Sequence, residues 1–267
     1  MDPGRVSPRY PLRNADDAEA ARLAQLQALS DPFTIEALQA LGVGPGWHCA
    51  ELGAGAGSMV RWMAGRVGPE GSVAAVDRDA TRLHALGGEH PNVVVVEADL
   101  CSLELPRADY DLVHTRWVLM HLDRPEETVR RAVSALRPGG IGYFEESDGS
   151  PALALEDAPE PFRRVMVPIA ARWTSAPRLA PLLESLGMVE VHDDVSQEDL
   201  VGGGPRAEFW RHTLASVRRL SNRAAAAGTA RRHGLEPEWV DAMAALLEDP
   251  GTCLPFAARH RVVARKP

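Results

Sequence analysis

Five short apolar runs recur between residues 47 and 146, at 47–52, 72–76, 93–97, 110–114 and 141–145. Helical patterns near 58–66, 79–87 and 125–136 separate them, with turn signals GPEG, HPN and RPGG in between. Strand-length runs alternating with helices predict right-handed βαβ crossovers and a mostly parallel sheet with helices on both faces. NVVVVEAD (92–99) reads as a strand buried on both sides. Residues 1–13 are rich in Pro and Arg and predict no regular element. Asn14 is placed to cap a helix over 15–29, with Leu23, Leu26 and Leu29 on one face, and Asp31-Pro32 is a second start signal for a helix ending at Gly42. After residue 150 the segments 158–174, 177–186, 206–226 and 236–247 read as helices, and 187–195 and the closing FAARHRVVARKP read as strands. DGSP and GGGP (202–205) read as flexible breaks. One structural domain is expected: a helical cover over 1–42, a ligand-binding core over 43–150, and over 151–267 the completion of the sheet with helical lid additions.

Composition narrows the partners. The chain has 267 residues, a formal net charge of −8 and an isoelectric point near 5.6, which argues against a nucleic-acid surface. Cys49, Cys101 and Cys253 lie far apart without a Cys-x-x-Cys pair, so reduced thiols are expected, with Cys49 and Cys101 buried. The first residues, MDPGRVSPRYPLRN, contain no apolar core of a signal peptide, and no run approaches the ~20 apolar residues of a membrane span. A cytoplasmic protein without a membrane partner is the expectation. The nine histidines form no metal-ligand spacing, so no metal is expected.

The stretch CAELGAGAGSMVRWM (49–63) carries the chemistry. A glycine-rich turn between a strand and a helix lets backbone N–H groups and the helix N-terminus approach a ligand, usually a nucleotide. A dinucleotide fingerprint reads G-x-G-x-x-G/A, whereas Gly53-Ala54-Gly55-Ala56-Gly57-Ser58 puts glycine fifth and serine sixth. Asp77 ends the second strand and Asp99 ends the third, the positions at which ligands bind in open α/β sheets. Either aspartate alone reads equally well as an ordinary turn residue.

ELGAGAG (51–57), VAAVDRD (73–79), EADL (97–100), DLVHTRWVLMHL (111–122) and LRPGGIGYFEESD (136–148) together resemble the class I S-adenosylmethionine (SAM) dependent methyltransferases of bacterial small-molecule type. The resemblance spans about 100 residues and five motifs in order. It implies a Rossmann-like, seven-stranded sheet with an antiparallel last strand, and SAM as cofactor. It further implies that Glu51, Gly53, Ala54 and Gly55 surround the methionine part, Asp77 with Arg78 the ribose, and Asp99 with Leu100 the adenine. His114 then closes the other side of the cofactor. Beyond what the resemblance implies, Tyr10 and Gln27 are read as covers for the methionine end, where a tyrosine ring would attract the sulfonium, or else as ordinary surface packing.

Methyl transfer requires positioning, exclusion of water and sometimes removal of a proton. His114, His121 and Glu146 are the candidate catalytic groups, and Arg116, Trp117 and Glu146 the candidate contacts to a small-molecule acceptor. Each also has an ordinary reading, as a core histidine, an ion-pair arginine or a packed aromatic. Arg163, Arg164, Arg172 and Arg178 read as solvated helix faces. Segments 158–174, 206–226 and 236–247, which include Phe162, Met166, Trp173, Phe209 and Trp210, are expected with helix 15–29 to form a lid that supplies most of the acceptor pocket. The alternative is a rigid helical layer packed on the sheet. Two other functions use the same fold: a SAM-bound cyclase or eliminase, and a non-catalytic SAM-binding module.

Overall fold

In a computed structural model, residues 17–106, 108–226 and 236–267 are described. The chain runs α1 (Asp17–Ala40), β1 (His48–Leu52), α2 (Ser58–Val67), β2 (Ser72–Asp77), α3 (Leu83–Glu89), β3 (Val93–Glu97) and β4 (Tyr110–Arg116). It continues with α4 (Pro125–Ala135), β5 (Leu136–Asp148), α5 (Ser150–Leu153), α6 (Glu160–Ala170), α7 (Leu179–Ser185) and β6 (Val189–Val201). α8 (Pro205–Ala226), α9 (Pro237–Glu248) and β7 (Cys253–Arg265) complete it. The strands form a seven-stranded sheet in the order β3-β2-β1-β4-β5-β7-β6, with the first five parallel and the pairing of the last strand antiparallel. Ion pairs Glu190–Arg265, Asp193–His260 and Asp194–Arg261 link β6 to β7, and the partner of Glu190 lies further along β7 than those of Asp193 and Asp194, as antiparallel strands require. The predicted fold class is the observed one.

Two compact units divide the described residues. The larger covers 17–146, 175–195 and 259–267, and its strands alternate between two cores. Cys49, Val73, Ala75, Leu112 and Ile141 face Leu38 of α1, Met59, Val60, Met63 and Val67 of α2, and Leu83 and Leu86 of α3. Ala50, Leu52, Ala74, Val76, Val113 and Phe144 face Val129, Ala132 and Val133 of α4 and Leu179 and Leu183 of α7. The period of two along a strand sorts neighbouring residues onto opposite faces, which is why these runs are apolar almost throughout. No helix of the described residues is long and apolar enough to cross a membrane.

The smaller unit covers 147–174 and 196–258 among the described residues. Here the expectation of an aromatic pocket roof needs correction. Phe162, Met166, Trp173, Phe209 and Trp210 are all buried and build the unit's own core around Phe256. Ring centroids of Trp210, Trp173 and Phe162 lie 5.0, 5.2 and 6.3 Å from that of Phe256, all edge-on, the geometry that aromatic quadrupoles favour. The glycine breaks are not loose either. Gly202 donates to the Thr252 carbonyl and Gly203 to that of Leu247, while Gly149 donates to that of Trp173 and is followed directly by α5. Arg163, Arg164, Arg172 and Arg178 are exposed, as expected.

A second correction concerns α1, which passes through the expected break at Asp31-Pro32 as one helix of 24 residues. Proline lacks the N–H that would reach Ala28, a loss helices seldom tolerate without tertiary anchoring. The anchoring comes from Asp31 and Thr34, described below. Continuity of α1 makes Pro32 an interior proline rather than a helix start. Pro32→Ala is therefore expected to raise stability by about 1–3 kcal/mol in urea titration. A loss of stability would mean that two helices meet at Asp31.

Candidate active site

The glycine loop follows β1 and is wired to the end of β2. Gly53 and Ala54 donate to the Val76 carbonyl at 2.8 and 2.9 Å, and Gly57 donates to Ala54 at 2.8 Å. Asp77 completes the wiring: Oδ2 accepts from the Gly55 N–H at 2.7 Å and Oδ1 from the Asp79 N–H at 2.9 Å. Burial raises the Asp77 pKa against the pull of these two donors. The three glycines answer different needs. A Cβ on Gly53 would meet Val118 at 2.3 Å, and one on Gly57 would meet Leu86 at 2.1 Å, so these two make room for the protein itself. Gly55, at φ +56°, has nothing within 4 Å of its missing Cβ. It faces open space.

That space is a cleft lined by Leu23, Leu26 and Gln27 of α1, Glu51, Gly53 to Ala56, Ser58 and Met59 of the loop, and Arg116 and Trp117 after β4. Of the residues singled out in the sequence, it gathers Gln27, Glu51, Gly53, Ala54, Gly55, Arg116 and Trp117. Asp77 touches the loop from below. Asp99 stands two residues beyond β3, exposed, accepting the Cys101 N–H at 2.9 Å. Leu100 puts its side chain in the core and its carbonyl against Thr128 and Arg131, and Arg78 is exposed. Tyr10 and Asn14 lie outside the described residues.

A chain of polar contacts, buried for most of its length, runs behind the cleft, and most of it was not foreseen. Strand register aligns Glu51, His114 and Tyr143 across β1, β4 and β5, and Arg116 with Glu145 one level on. His114 Nδ1 lies 2.5 Å from Glu51 Oε2 and Nε2 lies 3.4 Å from Glu145 Oε1. Thr34 donates to Glu145 at 2.6 Å, and Arg116 donates to Thr34 at 2.8 Å and to Asp31 at 2.7 Å. Ser58 at the start of α2 donates to the same Asp31 oxygen at 3.1 Å. Burial opposes charge on His114, but the Glu51 carboxylate and the contacts to both glutamates outweigh it and raise the pKa to about 9. Burial likewise works against Glu145, yet His114, Arg116 and Thr34 hold it below the usual carboxylate range. Thr34 left no motif in the sequence, and Asp31 read there only as a helix start; on one continuous α1 their i, i+3 spacing puts them on a shared face.

The three candidate bases fare as follows. His114 is wholly buried and engaged by glutamates at both nitrogens, and with its pKa raised to about 9 it is placed to keep a proton rather than to take one from an acceptor. Glu146 is also wholly buried, and its carboxylate accepts the backbone N–H groups of Val118, Leu119 and Met120 at 2.8, 2.7 and 3.3 Å. It fixes the turn after β4, and burial raises its pKa to about 7 against those donors. His121 is held near a pKa of about 3 by burial and by the positive charges of Arg22 and Arg78, which makes its imidazole neutral and weakly basic. Arg116 is an ion-pair residue of the cleft wall. Trp117 adopts φ +53°, a strained conformation for a large side chain. Its N–H donates to the Glu145 carbonyl at 2.8 Å, and the guanidinium carbons of Arg116 and Arg259 lie 5.6 and 5.1 Å from its ring centroid.

Two predictions follow from this geometry. Gly57→Ala adds both left-handed strain and a clash with Leu86, and is expected to cost about 1–3 kcal/mol in chemical denaturation. Gly55→Ala adds strain alone and is expected to cost about 1 kcal/mol. Equal losses would contradict the different roles of these glycines. For pH, His114 binds its proton more tightly in the folded protein than in the unfolded chain. Its contribution to stability is complete below the ordinary value of 6.5 and is lost as pH rises through about 9. Glu146 acts in a lower window: the unfolded chain ionises near 4.5 and the folded one near 7, so stability falls as pH rises between them. The thermal midpoint should therefore decline between pH 7 and pH 9, with a shallower slope in Glu51→Gln. A flat wild-type profile would contradict a charged His114.

A methyltransferase domain model matches residues 50–144, the segment that holds the loop, Asp77, Asp99 and, of the buried polar chain, Glu51, His114 and Arg116. The ubiquinone/menaquinone biosynthesis C-methyltransferase UbiE of Pseudomonas paraeruginosa is 31% identical over 193 residues, covering 69% of this chain and 72% of that protein. UbiE of Ectopseudomonas mendocina is 31% identical over 137 residues, covering 48% of this chain and 52% of that protein. The chain thus spans about half the length of that relative. Phosphoethanolamine N-methyltransferase 2 of Haemonchus contortus, solved in complex with SAM, superposes at a TM-score of 0.54 with 16% identity, covering 93% of this chain and 52% of that one. The cleft suits SAM in this chain's own terms, because Gly55 opens onto it without a side chain and Glu51 offers a carboxylate in its wall. By its sheet order, its glycine loop and its identity to a relative matched over most of its length, this chain belongs to the class I SAM-dependent methyltransferases.

Proposed function

We propose that this chain transfers a methyl group from SAM to a small-molecule acceptor, in bacterial secondary metabolism. The observation that carries the reading is the cleft itself. Gly55 opens onto it, Asp77 braces it, and α1 lines its other side with Leu23, Leu26 and Gln27. When bound, SAM supplies a methyl group already activated on a sulfonium. Glu51 would meet a cationic part of the cofactor, and Gln27 with Gly53 and Ala54 its methionine end. Asp77, whose carboxylate at the end of β2 accepts the Gly55 N–H of the loop, would take the ribose hydroxyls. Arg78 stands beside it. Asp99 and the Leu100 backbone would flank adenine.

With His114 and Glu146 engaged elsewhere and His121 weakly basic, transfer relies on positioning and on exclusion of water. Such a site suits an acceptor that presents a lone pair or ionises readily, such as a phenol, an enol or a quinol. Relatives named for ubiquinone and menaquinone C-methylation make quinol carbon the first class to try. Trp117 and Arg116 in the cleft wall are the acceptor contacts of this reading. The acceptor is a small molecule, with no nucleic acid or membrane partner, and the protein acts in the cytoplasm.

Incubation with SAM and a panel of quinols, phenols and enols, read by mass spectrometry, tests the reaction. A product heavier by one methyl group is expected. An isomeric product would favour the cyclase reading, and S-adenosylhomocysteine binding without turnover on any acceptor would favour a binding module. Asp77→Ala is expected to weaken S-adenosylhomocysteine binding by about 1.5–3 kcal/mol, the loss of a charge-assisted contact. Unchanged affinity in a folded variant would remove Asp77 from the ribose site.

A further inference from the structure

We propose that His114 is a positioning residue: gripped between Glu51 and Glu145, it holds the Glu51 carboxylate in the cleft wall for a cationic group of the bound cofactor. This rests on the reading of the cleft as a SAM site.

The geometry assigns the role. Glu51 lines the cleft, and His114, one strand away at the same level, takes its Oε2 at 2.5 Å. The far side of the ring faces Glu145, which Thr34 of α1 also engages. Charges alternate along the chain: Glu51 negative, His114 positive, Glu145 negative, Arg116 positive, Asp31 negative. One negative charge is left over, and its cleft end is Glu51. A cation in the cleft would complete the alternation.

Other groups facing His114 do not supply that cation. Cys49 on β1 is buried and its thiol is pushed far above its usual value by burial, then by Asp111 and Glu51. Tyr143 on β5 stacks at 5.2 Å, its hydroxyl likewise held neutral by burial and by Glu145. On β7, Arg261 is paired with Asp194, and Arg259 packs on Trp117 and Phe33. A buried network of this size is poor value for stability alone, since apolar replacements of equal volume are often neutral or stabilising. Orientation of a carboxylate that must stay ionised beside a ligand is a use that apolar packing cannot serve.

Two probes separate this role from a merely structural one. S-adenosylhomocysteine carries an ammonium group; methylthioadenosine keeps the nucleoside and lacks that cation. His114→Asn is expected to weaken S-adenosylhomocysteine binding about tenfold, the scale of one charge-assisted contact, with less than about a twofold effect on methylthioadenosine. In a Glu51→Gln background the same substitution should change little, since coupled residues are non-additive. Equal losses for both probes, or additive losses in the double variant, would overturn the proposal. Should His114→Asn not fold, nitrogen-15 NMR of the wild-type imidazole decides. A ring protonated on both nitrogens at pH 7.5 is expected, and a neutral ring would overturn it. Wild-type protein that binds neither probe would instead count against the SAM reading.

Discussion

A row of charges buried on one face of a parallel sheet constrains nearly everything around the cleft. Removing Glu51, His114 and Glu145 from water is costly, and only mutual contact repays it. The contacts depend on the alignment of β1, β4 and β5, which sets Glu51 beside His114 and Glu145 one level on. The row also recruits α1. Thr34 and Asp31 close the network through Glu145 and Arg116, and in doing so place Leu23, Leu26 and Gln27 along the cleft. The same anchoring lets a helix run on through Pro32.

The glycine loop obeys a second constraint, that of close packing. Two of its glycines are dictated by Val118 and Leu86 rather than by a ligand. Val118 in turn is held by Glu146, whose carboxylate gathers three successive amides of the turn after β4. One buried acid therefore sets the turn, the turn sets Val118, and Val118 sets the loop. Trp117 is strained within this turn and stacked between two arginines, the pattern of a residue whose orientation matters more than its comfort.

The helical unit has a separate physical basis. Its aromatic residues meet around Phe256 and are consumed by their own core. Its tight glycine turns are hydrogen-bonded within the unit rather than hinging freely.

Hydrophobic alternation in the sequence by itself determined the strands and helices of the core, because a strand buried on both faces must be apolar along its length and a helix on one stripe only. The glycine loop and its tie to Asp77 follow from similar signals, since each lies at the end of a recognisable strand, where backbone geometry is local. What tertiary structure decided is the use of the polar residues. His114 and Glu146 read in the sequence as candidate bases, yet one became an imidazolium between two carboxylates and the other a cap on three amides. Pro32 read as a break, yet Asp31 and Thr34 tie the helix down on both sides of it. A titratable side chain takes its protonation state and its task from partners 31 to 111 positions away in the chain, and no local pattern records which partners those will be.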